Sequence, residues 1–109
     1  MGKVIETSLL PWQLVRPNLA HDVEGKTLVA DGLKVILARV APGGRFTHHR
    51  DDYGHLFYFL SGQGLVWLGE ERREVGPGFA VQVNAGELHA YKNTGREDLL
   101  LISINLPVD

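Results

Sequence analysis

From Leu33 onward the apolar residues come in short runs, at 33–40, 56–60, 65–68, 79–83 and 99–106, each closed off by glycine, proline or charge. Runs of this length are too short for helices with a core-facing stripe and suit strands buried on at least one side. Thirteen glycines and five prolines fall mostly at the breaks. Pro42-Gly43-Gly44, Ser61-Gly62-Gln63-Gly64, Gly69-Glu70-Glu71, Gly76-Pro77-Gly78, Asn84-Ala85-Gly86 and Asn93-Thr94-Gly95 all read as turns. Connections this short join antiparallel neighbours. The expected fold is therefore all-β, a sandwich or barrel with little or no helix, and a closed or nearly closed barrel also disposes of exposed sheet edges. Weaker strand signals precede it at 12–16, 20–24 and 27–30.

With 109 residues, 44% of them hydrophobic, the chain can build one modest core. A single domain over 1–109 is expected, with N-terminal strands in 1–32 and a barrel core in 33–109. The formal charge of -2 leaves no basic surplus for a row of phosphates, so nucleic acid is not an expected partner. The first ten residues are too polar for a signal or membrane segment, which points to a soluble, cytoplasmic protein with no membrane partner. Without cysteine, any metal must be held by nitrogen and oxygen.

Three of the five histidines, His48, His49 and His55, fall within eight residues of one another around a polar segment. Side chains alternate along a strand, so His55, Phe57 and Phe59 share one face. His89 opens another strand after Gly86, with Tyr91 and Asn93 in the same phase. If these strands pair or face each other, the imidazoles converge. Neutral imidazoles with a carboxylate suit Mn, Fe, Ni, Co or Zn as one divalent transition metal.

The stretch from Pro42-Gly43-Gly44 through His48-His49-Arg50-Asp51 to His55, then six intervening residues and Gly62, resembles the first motif of the cupin family. Gly86, His89 and Asn93 match the spacing of its second motif. The resemblance covers 42–93 and implies a double-stranded β-helix, or jelly-roll barrel, with a metal inside. Two departures stand out: His55 occupies the usual glutamate position, and Asn84 the usual proline position. One motif spacing pairs His49 with Asp51, the other His48 with Arg50. The first is preferred because arginine has no lone pair to give. The implied metal ligands are His49, His55 and His89, with Asp51 either a weaker fourth ligand or an acceptor that orients an imidazole.

The family resemblance further implies a homodimer and a small-molecule ligand in the barrel. The layout is similar to small single-domain cupins of sugar-acid metabolism, including types that open unsaturated uronates. The expected activity is Lewis-acid chemistry on a small oxygen-rich metabolite such as a sugar acid or keto acid, by an isomerase, lyase or dioxygenase. The alternative is a ligand-binding or structural cupin dimer without catalysis. Candidate catalytic groups are His48, Asp51 and Tyr91. Arg39 and Gln82 interrupt apolar strands and could enter the cavity to meet an anion. Tyr53 could rim it, and His21 reads as an ordinary surface or core residue rather than a ligand. Phe79 and Val81 read as core, and the charge run 70–74 as a solvated turn.

Overall fold

The computed structural model describes residues 2–107. A single 3-10 turn at Thr7–Leu9 precedes nine strands: β1 (Gln13–Leu14), β2 (Ala20–Val29), β3 (Lys34–His49), β4 (Gly54–Ser61), β5 (Gly64–Leu68), β6 (Glu71–Val75), β7 (Ala80–Val83), β8 (His89–Asn93) and β9 (Leu99–Leu106). The sheet runs β6-β5-β8-β3-β9-β4-β7, with β2 on β3 and β1 on β2, and every pairing is antiparallel. The all-β, antiparallel expectation holds. Among the described residues no helix is long and apolar enough to cross a membrane.

Strand β3 decides how the sheet curls. Its first half, Lys34 to Val40, pairs with β9, and its end, Arg45 to His49, pairs with β8. Pro42-Gly43-Gly44, expected as a turn, instead lies inside one continuous strand as a bulge, where the register on β2 jumps between His21 and Val23. Proline has no N–H for the ladder, so this is where the strand can bend. Gly43 has φ +80, and a Cβ on Gly44 would stand 2.9 Å from the carbonyl oxygens of His21, Asp22 and Ala41. The bend lets one strand serve both halves of the barrel.

Alternation along each strand fills the interior. Val23, Val40, Phe59, Val83, Leu99 and Leu101 are at most 1% exposed, each contributing about 1.5–3 kcal/mol through burial. Other expectations are revised. The two upstream signals at 20–24 and 27–30 form one strand, β2, and the signal at 12–16 shrinks to a two-residue strand. The charge run is an edge strand rather than only a turn: Glu71 to Glu74 are exposed and Val75 is buried. Charges on an edge discourage pairing with other chains. Phe79, expected in the core, is 49% exposed just before β7 begins, while Val81 packs against the core.

Candidate metal centre

A regular antiparallel ladder that pairs Phe46 with Tyr91 would set His48 opposite His89. The observed partner of His89 is His49, because the register slips by one residue between Phe46 and His49. This second bulge turns Phe46 and His49 to the same side, breaking strict alternation. Thr47 helps hold it: its backbone N–H and hydroxyl both donate to the Leu19 carbonyl, at 2.9 and 2.6 Å. His48 is left on the outer face, exposed, with its ring 5.5 Å from that of Trp67. It stands apart from the other histidines.

Four side chains from both motifs meet inside. His49 ends β3, His55 lies near the start of β4, and His89 opens β8. Asp51 follows β3 in a loop tied to the second motif by the Gly86 N–H, which donates to the Asp51 carbonyl at 2.7 Å. Asp51 Oδ2 lies 2.8 Å from His55 Nε2, 3.2 Å from His49 Nε2 and 3.8 Å from His89 Nε2. The His49 and His89 ring centroids are 4.3 Å apart, and those of His55 and His89 5.0 Å. Donor atoms of His49, Asp51 and His89 all lie within 4.8 Å of one another, positioned to bind a metal ion.

The tautomers are set from behind. His49 Nδ1 lies 2.6 Å from the Thr47 carbonyl and His89 Nδ1 2.8 Å from that of Glu87, contacts that require each Nδ1 to carry the proton. Both Nε2 lone pairs then face Asp51, as in metal sites where a carbonyl orients the ligating ring. Among the described residues, Nε2 of His89 is buried without a hydrogen-bond partner, as is Nδ1 of His55. A buried nitrogen lone pair without a donor is costly unless something electrophilic meets it, so the donor set fits a cation. Burial, with the nearby charges of His49 and His55, also pulls the His89 pKa below its usual value, against the opposing hydrogen bond to Glu87. The ring therefore remains a neutral ligand in mild acid.

Arg16 was not legible as part of this site. Its Nη1 donates to Asp51 Oδ1 at 3.0 Å, across 35 residues of sequence, and its guanidinium carbon lies 5.7 Å from the centre of the Phe46 ring. Burial alone would raise the Asp51 pKa, but the hydrogen bonds from His55 and Arg16 and the charges of Arg16 and His49 hold it below the usual carboxylate range. Asp51 is thus a stable anion and a poor base. Arg16 has φ +39, a strained conformation for a non-glycine residue, in a turn closed by the Leu19 and Ala20 N–H groups on its carbonyl.

Above the cluster lies a cavity of about 90 Å³, walled by Val15, Ile36, Ala38, Phe46 and Phe57. Tyr53 and Tyr91 also line it. Burial, then the Asp51 charge, raises the Tyr53 pKa, and full burial raises that of Tyr91 far above its normal range. Both phenols stay protonated and can donate hydrogen bonds. Tyr91, offered as a base by its position, stays protonated and is a hydrogen-bond donor rather than a base. Arg39 does not reach the cavity: it pairs with Glu24 at 2.9 Å and covers Trp12. Gln82 faces outward on β7, and His21 is exposed. The cations that do line the cavity are Arg16 and Lys34.

A family model described as Cupin domain matches residues 36–105, well over half of the chain. The chain belongs to the cupin family. Its fold is similar to that of the polyketide cyclase RemF from Streptomyces resistomycificus, with a TM-score of 0.87 and 23% identity over 96% of this chain and 79% of that one. It is also similar to a predicted oxalate decarboxylase from Thermotoga maritima (TM-score 0.85, 17% identity, 97% of this chain and 100% of the other). KdgF from Halomonas superposes with a TM-score of 0.83 at 20% identity, covering 100% of this cupin and 97% of its own chain. At such identities these likenesses establish the fold alone. No curated protein matches the sequence.

Proposed function

We propose that this cupin holds one divalent transition metal on His49, Asp51, His55 and His89 and acts on a small oxygen-rich metabolite of the sugar-acid or keto-acid kind. The buried, unpartnered Nε2 of His89, with its ring locked from behind by the Glu87 carbonyl, carries the reading. His55 joins the set on condition that its Nε2, which lies 2.8 Å from Asp51 Oδ2 as a hydrogen-bond donor, gives up that proton when the ion binds. A bound ion supplies Lewis acidity toward a carbonyl or hydroxyl oxygen. Arg16 keeps Asp51 anionic and in place, the apolar walls exclude water, and Tyr91 and Tyr53 offer hydrogen bonds to an oxygen that gains negative charge. Asp51 is committed to Arg16 and the histidines, and His48 lies outside the cavity, so neither serves as a free base. This favours isomerisation or a lyase step assisted by hydrogen-bond donors over chemistry that needs a strong carboxylate base. Two similar structures carry reaction names, a polyketide cyclase and a predicted oxalate decarboxylase, which agree with enzymatic use of the fold.

The test begins with elemental analysis of tag-free protein after metal reloading, with His89→Ala in parallel. About one ion per chain is expected for the natural sequence, and under about 0.2 for the variant. Equal metal content in the two proteins refutes the ligand set. Turnover of keto-acid and uronate substrates without oxygen uptake supports isomerase or lyase chemistry. Tight binding of such compounds without turnover supports the non-catalytic binding module instead.

A further inference from the structure

The inward face of β9 changes character along its length. Leu99 and Leu101 are fully buried, but the next two positions in the same phase are Ser103 and Asn105, both lining the cavity. Polar side chains at interior positions of a small barrel cost stability unless they are satisfied or used. Among the described residues, neither side chain makes a hydrogen bond to a protein group, and Lys34, also on the cavity wall, has no ion pair.

The register explains how they come together. Asn105 pairs with Lys34 on one side and with His55 on the other. Lys34, Asn105 and His55 therefore form one row across three strands, with Ile36, Ser103 and Phe57 in the next row. Directly paired side chains stand about 5 Å apart, and two strand spacings put Lys34 roughly 10 Å from His55 at the backbone. The lysine stem can bring its ammonium back over the cavity, where Asn105 and Ser103 add a neutral amide and a hydroxyl.

Resting on the metal-centre reading above, we infer that Lys34, Asn105 and Ser103 form a carboxylate-binding subsite that selects an organic anion whose other end offers oxygen to the metal. One ammonium with two neutral donors matches the single charge of a carboxylate. The cavity of about 90 Å³ compares with roughly 10–15 Å³ for one water. It holds a molecule of only a few carbons, with one end at His55 and the other beside Lys34.

Glutarate and its monoamide are suitable probes, because they share length and shape and differ by one charge. Isothermal titration of the zinc-loaded protein is expected to show glutarate binding about tenfold tighter, the effect of one charge-assisted hydrogen bond. Lys34→Met removes that preference, bringing the two affinities to within about twofold of each other. The side-chain amide resonance of Asn105 shifts with glutarate in wild type and not in Lys34→Met. Equal affinities in wild type, a preference that survives Lys34→Met, or no binding of either probe up to about 10 mM overturns the subsite. Chelating the zinc separates the two readings. If both ligands bind as well without metal, the metal centre fails as an anchor; a charge preference that still depends on Lys34 keeps the subsite.

Discussion

Replacing Arg16 by methionine removes the one Arg or Lys that, among the described residues, touches the metal-centre carboxylate. The Arg16 and Asp51 side chains are 39% and 5% exposed, and their contact is 3.0 Å. The pair sits between a surface bridge, worth about 0–1 kcal/mol, and a buried one, whose breaking costs about 3–5 kcal/mol. Two facts place it in the lower half of that range. Water screens the open side of the guanidinium, and Asp51 keeps its bond to His55 at 2.8 Å. A cost of about 1–2 kcal/mol follows. Methionine retains an unbranched stem beside Phe46, and both residues pay the same strain at φ +39, so those contributions cancel. In a domain of this size about 1 kcal/mol moves the melting temperature by roughly 4–8 °C, so metal-free Arg16→Met should melt about 4–16 °C lower. Calorimetry on Arg16→Met, Asp51→Asn and the double variant gives the coupling directly. A fall of less than about 2 °C, or strictly additive effects, would refute the role assigned to Arg16.

His48→Ala should keep its full metal content, while His49→Ala weakens zinc binding by at least about a hundredfold; competition with a chromophoric chelator reads both. The metal-free protein should lose stability in two acid steps. His89 titrates below its ordinary value of 6.5 when folded, so the unfolded chain takes up protons first and stability falls as pH drops under 6.5. Asp51 repeats the argument below 3.8, and urea titrations across pH would expose a missing step. Gly44→Ala forces a methyl against three carbonyl oxygens at 2.9 Å and should cost about 1–3 kcal/mol in urea unfolding. The homodimer implied by the family resemblance, with Val4, Leu9 and Leu14 left exposed along the N-terminal segment, predicts sedimentation at twice the chain mass; a monomer at micromolar concentration would remove it.

Short apolar runs punctuated by glycine made the β-architecture legible, because strand alternation and turn chemistry are local. The same alternation correctly put His55 with Phe57 and Phe59, and His89 with Tyr91 and Asn93, on buried faces. Motif spacing drew His49, Asp51, His55 and His89 into one proposed group. Two errors came from the same source. Arg39 and Gln82 looked like polar intrusions into the core, yet each sits on an outward phase of its strand. The true intrusions, Ser103 and Asn105, were hidden because 99–106 read as one apolar run.

Local chemistry in the chain determined the strands, the turns and the types of atom available to a metal: nitrogen and oxygen, with no thiolate. Which histidine turns inward was a matter of register. A one-residue slip between β3 and β8 exchanges every inward and outward side chain beyond it, and pairing with a distant strand sets that slip. The same holds for Arg16, whose approach to Asp51 depends on a turn braced by Thr47, and for Lys34, aligned with His55 only through β9. Contacts between residues tens of positions apart leave no periodic trace in sequence, so only the folded barrel could decide them.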